Sequence, residues 1–104
     1  MGKKPDPKII DFLKRVRKKY NINKAIFFGS RTTGEHLKDS DYDMILVSDD
    51  FKGIFFTKRI ANMYDFWKHY PLEIEPFCYT LKEFETKKKE HGMVRQAIKE
   101  GIEI

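Results

Sequence analysis

Two short apolar runs, each joined to a small polar motif, constrain this chain most. The first run, Ala25 to Phe28, ends in Gly29-Ser30, and the second, Met44 to Val47, is preceded by Asp41-Tyr42-Asp43. Apolar runs of this length are typical of buried strands. A Gly-Ser turn leaving a strand offers backbone N–H groups and a hydroxyl to a phosphate. Two aspartates two residues apart in a strand lie on one face, where they can share divalent cations.

Each motif by itself is usually structural, because Gly-Ser pairs occur in turns and Asp-x-Asp occurs in loops. Their order in this chain favours a different interpretation. Asp41 and Asp43 precede an apolar run that should be buried, and carboxylates beside a core are costly unless something compensates their charge. A metal ion would do so. A phosphate-binding turn combined with metal-binding carboxylates is the minimum set for nucleotidyl transfer by two-metal chemistry.

The Gly-Ser and Asp-x-Asp motifs, with Gly34-Glu35 between them, resemble the signature of the minimal nucleotidyltransferases. These belong to the DNA polymerase β-like nucleotidyltransferase superfamily, and the resemblance extends over roughly residues 7 to 85. It implies an α/β (α+β) nucleotidyltransferase fold, in which helices pack against one face of a small mixed sheet of three or four strands.

The hydrophobic pattern predicts a single domain over residues 1–104. Helices are expected at 7–20, 54–69, 81–91 and 93–100, strands at 24–28, 42–48 and 72–79, and a short helical turn at 30–36. Thr80 to Glu83 reads as a capping box that begins the third helix. Pro76 cannot donate to a strand ladder, so the third strand should lie at an edge or lose pairing there. Core positions are expected at Cys78 and along one helical stripe: Phe56, Ile60, Met63 and Trp67.

The two-metal mechanism needs carboxylates that bridge metal ions ~3.5–4 Å apart. Asp41 and Asp43 fit as the bridging pair for two Mg²⁺ ions. In the superfamily a third carboxylate, usually Asp, lies four residues before the Tyr-Thr pair that leads into the last helices. Glu75 stands four residues before Tyr79-Thr80 and is therefore the predicted third ligand, with Glu73 as the alternative.

The resemblance also implies a nucleotide site with ATP as co-substrate. Gly29 and Ser30 would bind its β- and γ-phosphates, and Arg31 could add a charge-assisted contact. Relatives often carry a basic residue two positions after Arg31, where this chain has Thr33. His36, His69 and His91 lack the spacing of metal ligands, and no metal is assigned to them.

Members of this minimal group resemble the antitoxin halves of toxin–antitoxin modules, whose partners are helical HEPN-domain ribonucleases. The resemblance therefore implies a magnesium-dependent enzyme that transfers AMP from ATP to a protein acceptor, with the toxin as a candidate. The short chain favours an acceptor supplied by a protein partner. The alternative is a non-catalytic antitoxin that neutralises its partner by contact. Homo-oligomerisation remains open.

Composition indicates which ligands and which cellular location to expect. The net charge of +5 favours anionic ligands, but a helix-turn-helix or RNP-type pattern is missing, so nucleic acid is not the expected direct partner. Neither a membrane-spanning stretch nor a signal peptide is recognisable. Cys78 is the only cysteine, which excludes an intrachain disulfide and indicates a reducing, cytoplasmic location.

Overall fold

The computed structural model describes residues 7–28, 42–66 and 74–104. Over these ranges the chain forms four helices and four strands, in the order α1 (Pro7–Lys19), β1 (Lys24–Phe28), β2 (Tyr42–Val47), α2 (Phe56–Met63), β3 (Ile74–Tyr79), α3 (Leu81–Lys87), α4 (Met93–Glu100) and β4 (Ile102–Glu103). Short 3₁₀ turns follow β2 at Asp49–Phe51 and α2 at Tyr64–Phe66. The helical turn predicted at 30–36 lies outside the described residues.

The four strands form one mixed sheet in the order β3-β2-β1-β4. β1 pairs antiparallel with β2 and β4, whereas β2 and β3 run parallel. A parallel pair requires a long crossover, and the segment containing α2 provides it. This architecture confirms the predicted fold class. Among the described strands β3 lies at one edge of the sheet, which confirms the edge position expected from Pro76.

Helices cover both faces of the sheet, because side chains alternate between its faces along each strand. One core cluster joins the sheet to α1 and α2: Ile9, Phe12, Leu13, Val16, Ala25, Phe27, Met44, Leu46, Met63 and Cys78. The second joins it to α3 and α4: Ile26, Phe28, Ile45, Val47, Tyr79, Phe84, Val94 and Ala97. The expectation of helices against one face was therefore wrong. Continuous apolar runs such as Ala25–Phe28 have no polar side, so both faces must be buried.

The predicted helix at 54–69 is shorter than expected and packs differently. The α-helix covers Phe56–Met63 and passes into a 3₁₀ turn, while Trp67 lies outside the described residues. Met63 is fully buried as predicted, but Phe56 is 38% exposed. Arg59 lies on the buried side of this helix in its place. The predicted stripe was therefore partly wrong, because a buried arginine with hydrogen-bonding partners rotates the helix away from its purely apolar face.

The end of β3 and the start of α3 follow the sequence pattern closely. Thr80 caps α3: its hydroxyl accepts from Glu83 N, and the Glu83 carboxylate accepts from Thr80 N, which is the predicted capping box. The α-helix ends at Lys87, earlier than expected. Cys78 is fully buried as predicted, and burial raises the pKa of its thiol to about 12. It is therefore a core residue rather than a nucleophile.

Candidate active site

Two acidic residues occupy facing positions on neighbouring strands. Asp43, the second residue of β2, pairs with Phe28 of β1 on one side and with Glu75 of β3 on the other. Adjacent strands lie ~4.8 Å apart, so the backbone brings two carboxylate-bearing positions within one strand spacing. Asp43 is half-buried. Paired carboxylates at this spacing suit a hard divalent cation, whose preferred ligands are oxygens.

The remaining parts of the predicted site lie outside the described residues: Gly29, Ser30, Arg31, Asp41 and the side chain of Glu75. The chain on either side of them is described. β1 ends at Phe28, directly before Gly29, and β2 begins at Tyr42, directly after Asp41. Because Phe28 pairs with Asp43, the chain leaves β1 and enters β2 at the same end of the sheet.

The parallel pairing of β2 with β3 bears on the choice of the third carboxylate. Glu75 is the register partner of Asp43. Glu73 precedes the first described residue of β3, Ile74, and lies outside the described part of the chain. The register supports Glu75, and its assignment as a metal ligand stays a prediction.

No group of three or more His, Cys, Asp or Glu side chains able to hold a metal ion occurs within residues 7–28, 42–66 and 74–104. The predicted trio of Asp41, Asp43 and Glu75 contributes only the Asp43 side chain to these ranges, so the trio itself stays a prediction. What the described chain provides is the backbone arrangement that would bring Asp43 and Glu75 to one ion.

The opposite end of β2 and β3 is held by a charged network. Arg59 is only 6% exposed. Its guanidinium donates to the carbonyl oxygens of Ile54 and Cys78 at 2.8 and 3.0 Å, and to the two carboxylate oxygens of Glu83 at 2.6 and 3.3 Å. The hydrogen bonds from Arg59 are the main reason that the pKa of Glu83 is lowered. This network ties α2 to the end of β3 and the start of α3.

Two further hydrogen bonds close the same end. Ser48 N donates to the carbonyl oxygen of Tyr79 at 2.9 Å, and Leu81 N donates to the Asp49 carboxylate at 3.1 Å. Sequence reasoning missed the role of Arg59, because a single arginine in an amphipathic helix looks like any solvated residue. The only local sign that Arg59 is buried is that it directly precedes Ile60 of the predicted apolar stripe. Its partners Cys78 and Glu83 are distant in sequence, so the sequence does not reveal the contacts.

None of the helices in the described part of the chain is long and apolar enough to cross a lipid bilayer.

Comparison with known proteins bears on the fold and the family. No curated protein sequence matches this chain. Among solved structures, one from Sulfolobus solfataricus, described as a "putative nucleotidyltransferase", superposes with a TM-score of 0.59 at 16% sequence identity. The match covers 96% of this chain and 87% of that one. At this identity the likeness concerns the fold alone.

The family comparison covers nearly the whole chain and includes every strand of the sheet. Residues 9–104 match the family model described as the nucleotidyltransferase domain. The matched region contains the Gly-Ser motif, the Asp-x-Asp motif and Glu75. The chain belongs to the nucleotidyltransferase domain family.

Proposed function

We propose that this protein transfers AMP from ATP, in a magnesium-dependent reaction, to a hydroxyl group of a protein. The observation that carries the proposal is the register that sets Asp43 opposite Glu75, at the end of the sheet where β1 ends directly before Gly29 and Ser30. Family membership supports nucleotidyl transfer in general. The choice of ATP, of magnesium and of a protein acceptor goes beyond family membership and is part of this proposal.

The carboxylates would hold the metal ions that this family's chemistry requires. Asp41, Asp43 and Glu75 would together hold two Mg²⁺ ions. Carboxylate oxygens are ligands that Mg²⁺ prefers, so the donor set fits. When bound, Mg²⁺ would supply charge that lowers the pKa of an acceptor hydroxyl and neutralises the leaving pyrophosphate.

The other residues would position the nucleotide and handle the proton. The backbone at Gly29 and the Ser30 hydroxyl would donate to the phosphates, with Arg31 adding a charge-assisted bond. The acceptor oxygen would then form a bond to the α-phosphorus. At the same time the bond between this phosphorus and the oxygen that it shares with the β-phosphate would break, and pyrophosphate would leave. The Glu75 carboxylate would take the acceptor proton.

The partner we propose is a helical HEPN-domain ribonuclease, with this chain acting as the antitoxin of a two-protein module. The basis is the resemblance of the Gly-Ser and Asp-x-Asp motifs to minimal nucleotidyltransferases of that kind. The positive net charge of +5 suits both ATP and an acidic acceptor surface.

The test combines the purified chain with ATP labelled at the α-phosphorus, Mg²⁺ and a candidate HEPN protein. We expect label on the HEPN protein, none with EDTA, and none with the Asp43→Asn variant. Loss of ribonuclease activity without any label would instead favour the contact-only antitoxin. Label transferred only to a small molecule would refute the protein acceptor and retain the enzyme class.

A further inference from the structure

A groove runs from the end of β3 along the outer side of α4. It consists of three adjoining cavities of about 310, 200 and 640 Å³. The first and second are both lined by Tyr79 and Lys87, and the second and third are both lined by residues 91–93. Because each pair of neighbouring cavities shares lining residues, the three form one continuous surface, which we call the Tyr79 groove.

The β3 end of the Tyr79 groove is aromatic. The ring centroids of Phe56 and Tyr79 lie 5.4 Å apart. Tyr79 is nearly buried, but Phe56 is 38% exposed, and Phe55, which precedes it, is 87% exposed. Aromatic side chains left in water forgo the favourable free energy of burial, and clusters of them are typical of protein-binding surfaces.

The α4 end of the Tyr79 groove is basic. Arg95 and Lys99 are four residues apart, so they lie on one side of the helix, ~6 Å apart along its axis. Both are exposed, and both line the third cavity. Arg95 contacts the ring nitrogen of His91 at 3.2 Å, and neither basic residue has a carboxylate partner among the described residues.

The charges in the middle of the groove are already matched. Lys87 Nζ lies 3.6 Å from the Glu90 carboxylate. Glu83, which lines the first cavity, is bound by Arg59 at 2.6 Å. Among the described residues that line the groove, unmatched cations therefore occur at the α4 end. The groove offers apolar contact at one end and positive charge at the other.

This arrangement favours a protein as the occupant. A nucleic-acid backbone carries negative charge along its whole length, whereas the groove has unmatched cations at one end only. A second copy of this chain would bring the same net charge of +5 and would be repelled. An amphipathic helix suits the groove better, because carboxylates four residues apart on it have the ~6 Å spacing of Arg95 and Lys99.

We propose that the Tyr79 groove binds an acidic amphipathic helix of a partner protein. Apolar side chains of that helix would cover Phe56 and Tyr79, and its carboxylates would pair with Arg95 and Lys99. Tyr79 lies four residues beyond Glu75 on β3, ~13 Å along the strand, and no predicted metal ligand lines the groove. The inference therefore goes beyond the proposed function and does not rest on it.

The probe is a library of helical peptides with randomised surface positions, displayed on phage and selected on the full chain. Fluorescence anisotropy then measures binding of the enriched peptides without ATP or Mg²⁺, so the result is independent of nucleotidyl transfer. The test variants are Arg95→Glu with Lys99→Glu, and Phe56→Ser. The control, Lys14→Glu with Lys18→Glu, reverses two exposed cations four residues apart on α1, which packs against the opposite face of the sheet.

We expect the enriched peptides to combine aromatic or aliphatic residues with acidic residues four positions apart. Their affinity should fall about tenfold or more for both test variants and by no more than about twofold for the control, while circular dichroism shows that all these proteins are folded. Replacing the acidic residues of a peptide by lysine should abolish binding to wild type and restore binding to the variant with Arg95→Glu and Lys99→Glu.

Four results would overturn the inference. A selection that yields no binder, or binders without acidic residues, would refute an acidic helical occupant. Equal losses in the control and the test variants would show only general attraction to a basic protein. Single-stranded RNA that binds the wild type and the control, but not Arg95→Glu with Lys99→Glu, would assign the α4 end to nucleic acid. A wild-type dimer in sedimentation that dissociates in Phe56→Ser would assign the groove to a second copy.

Discussion

The two ends of β2 and β3 differ in how their charged residues are arranged. At the end near Val47 and Tyr79, the buried Arg59 is matched to Glu83 and to two backbone carbonyl oxygens. At the other end, the strand register brings acidic Asp43 opposite acidic Glu75. Like charges on adjacent strands repel and cost free energy unless an opposite charge or a hydrogen-bond donor compensates them. The end near Val47 and Tyr79, which we call the anchored end, is held by oppositely charged and hydrogen-bonded groups, whereas the other end, the acidic end, has two acidic residues on adjacent strands.

Asp43→Asn should cause the largest change in activity. It should also show that the acidic end serves activity, whereas the anchored end serves stability. Because it removes a carboxylate from the proposed metal site, transfer should fall by about 10³-fold or more. In EDTA the variant should melt at the same temperature as wild type or higher, since removing one of the neighbouring carboxylates would relieve repulsion between like charges. A label-transfer assay and a thermal melt check both. Early melting would assign Asp43 a structural role, and the exposed Glu85→Gln serves as the control.

Glu75→Gln tests whether the register identifies the third carboxylate. Transfer should fall by about 10²-fold or more, while ATP binding stays nearly unchanged, because Asp41 and Asp43 would still hold the triphosphate metal. Glu73→Gln should matter far less. Single-turnover assays with calorimetry distinguish the two variants. A dead Glu73→Gln with an active Glu75→Gln would exchange their assignments, and full activity in both would leave a site of two carboxylates.

Arg59→Met, at the anchored end, should have the opposite effect: it should lower stability and leave transfer activity largely unchanged. It removes the guanidinium donor from the Glu83 carboxylate, which keeps only its hydrogen bond from Thr80 N, and from the carbonyl oxygens of Ile54 and Cys78. Removing one partner of a buried pair costs ~3–5 kcal/mol, and because the Glu83 side chain is 43% exposed we expect ~2–3 kcal/mol. Urea unfolding measures the loss. Transfer per folded molecule should persist at low temperature, and Lys58→Met, on the exposed side of α2, should be nearly neutral.

Thr80→Ala should weaken the same end by less. The substitution removes the hydroxyl that accepts from Glu83 N, at 3.2 Å, and leaves the Glu83 carboxylate bonded to Thr80 N. Loss of an N-cap of this kind costs ~1 kcal/mol. Chemical denaturation gives the number, and Thr80→Ser should restore most of the stability. A loss as large as that of Arg59→Met would mean that the cap, rather than the arginine, anchors α3.

Lowering the pH should produce the smallest of these changes in stability. The pKa of Glu83 is lowered, chiefly by its hydrogen bonds to Arg59. A carboxyl whose folded pKa is depressed stabilises the fold above its unfolded value, 4.5, and loses that contribution as pH falls below it. Melting temperature should therefore fall more steeply below pH 4.5 in wild type than in Glu83→Gln. Parallel curves for the two proteins would show that this pair contributes nothing measurable.

Local patterns predicted the elements that depend on nearby residues. The bounds of β1 and α4 agree with the sequence prediction to the residue, because an apolar run and an amphipathic repeat mark them directly. The capping box at Thr80 and the edge position of Pro76 were predicted for the same reason: each rests on what one residue's own atoms can donate or accept. The Gly-Ser and Asp-x-Asp motifs likewise identified the family.

Contacts between distant residues could not be read in this way. The two-residue β4 has no periodicity of its own and exists only because β1 offers an unpaired edge. Arg59 is buried only because Cys78 and Glu83, distant in sequence, supply acceptors. The choice between Glu73 and Glu75 depends on how β3 is paired with β2, and a strand's own sequence does not define its partner. By itself the sequence determined which groups this protein has for its chemistry. Only the tertiary structure decided which of them face each other, because strand register and helix packing are set by interactions across the whole core.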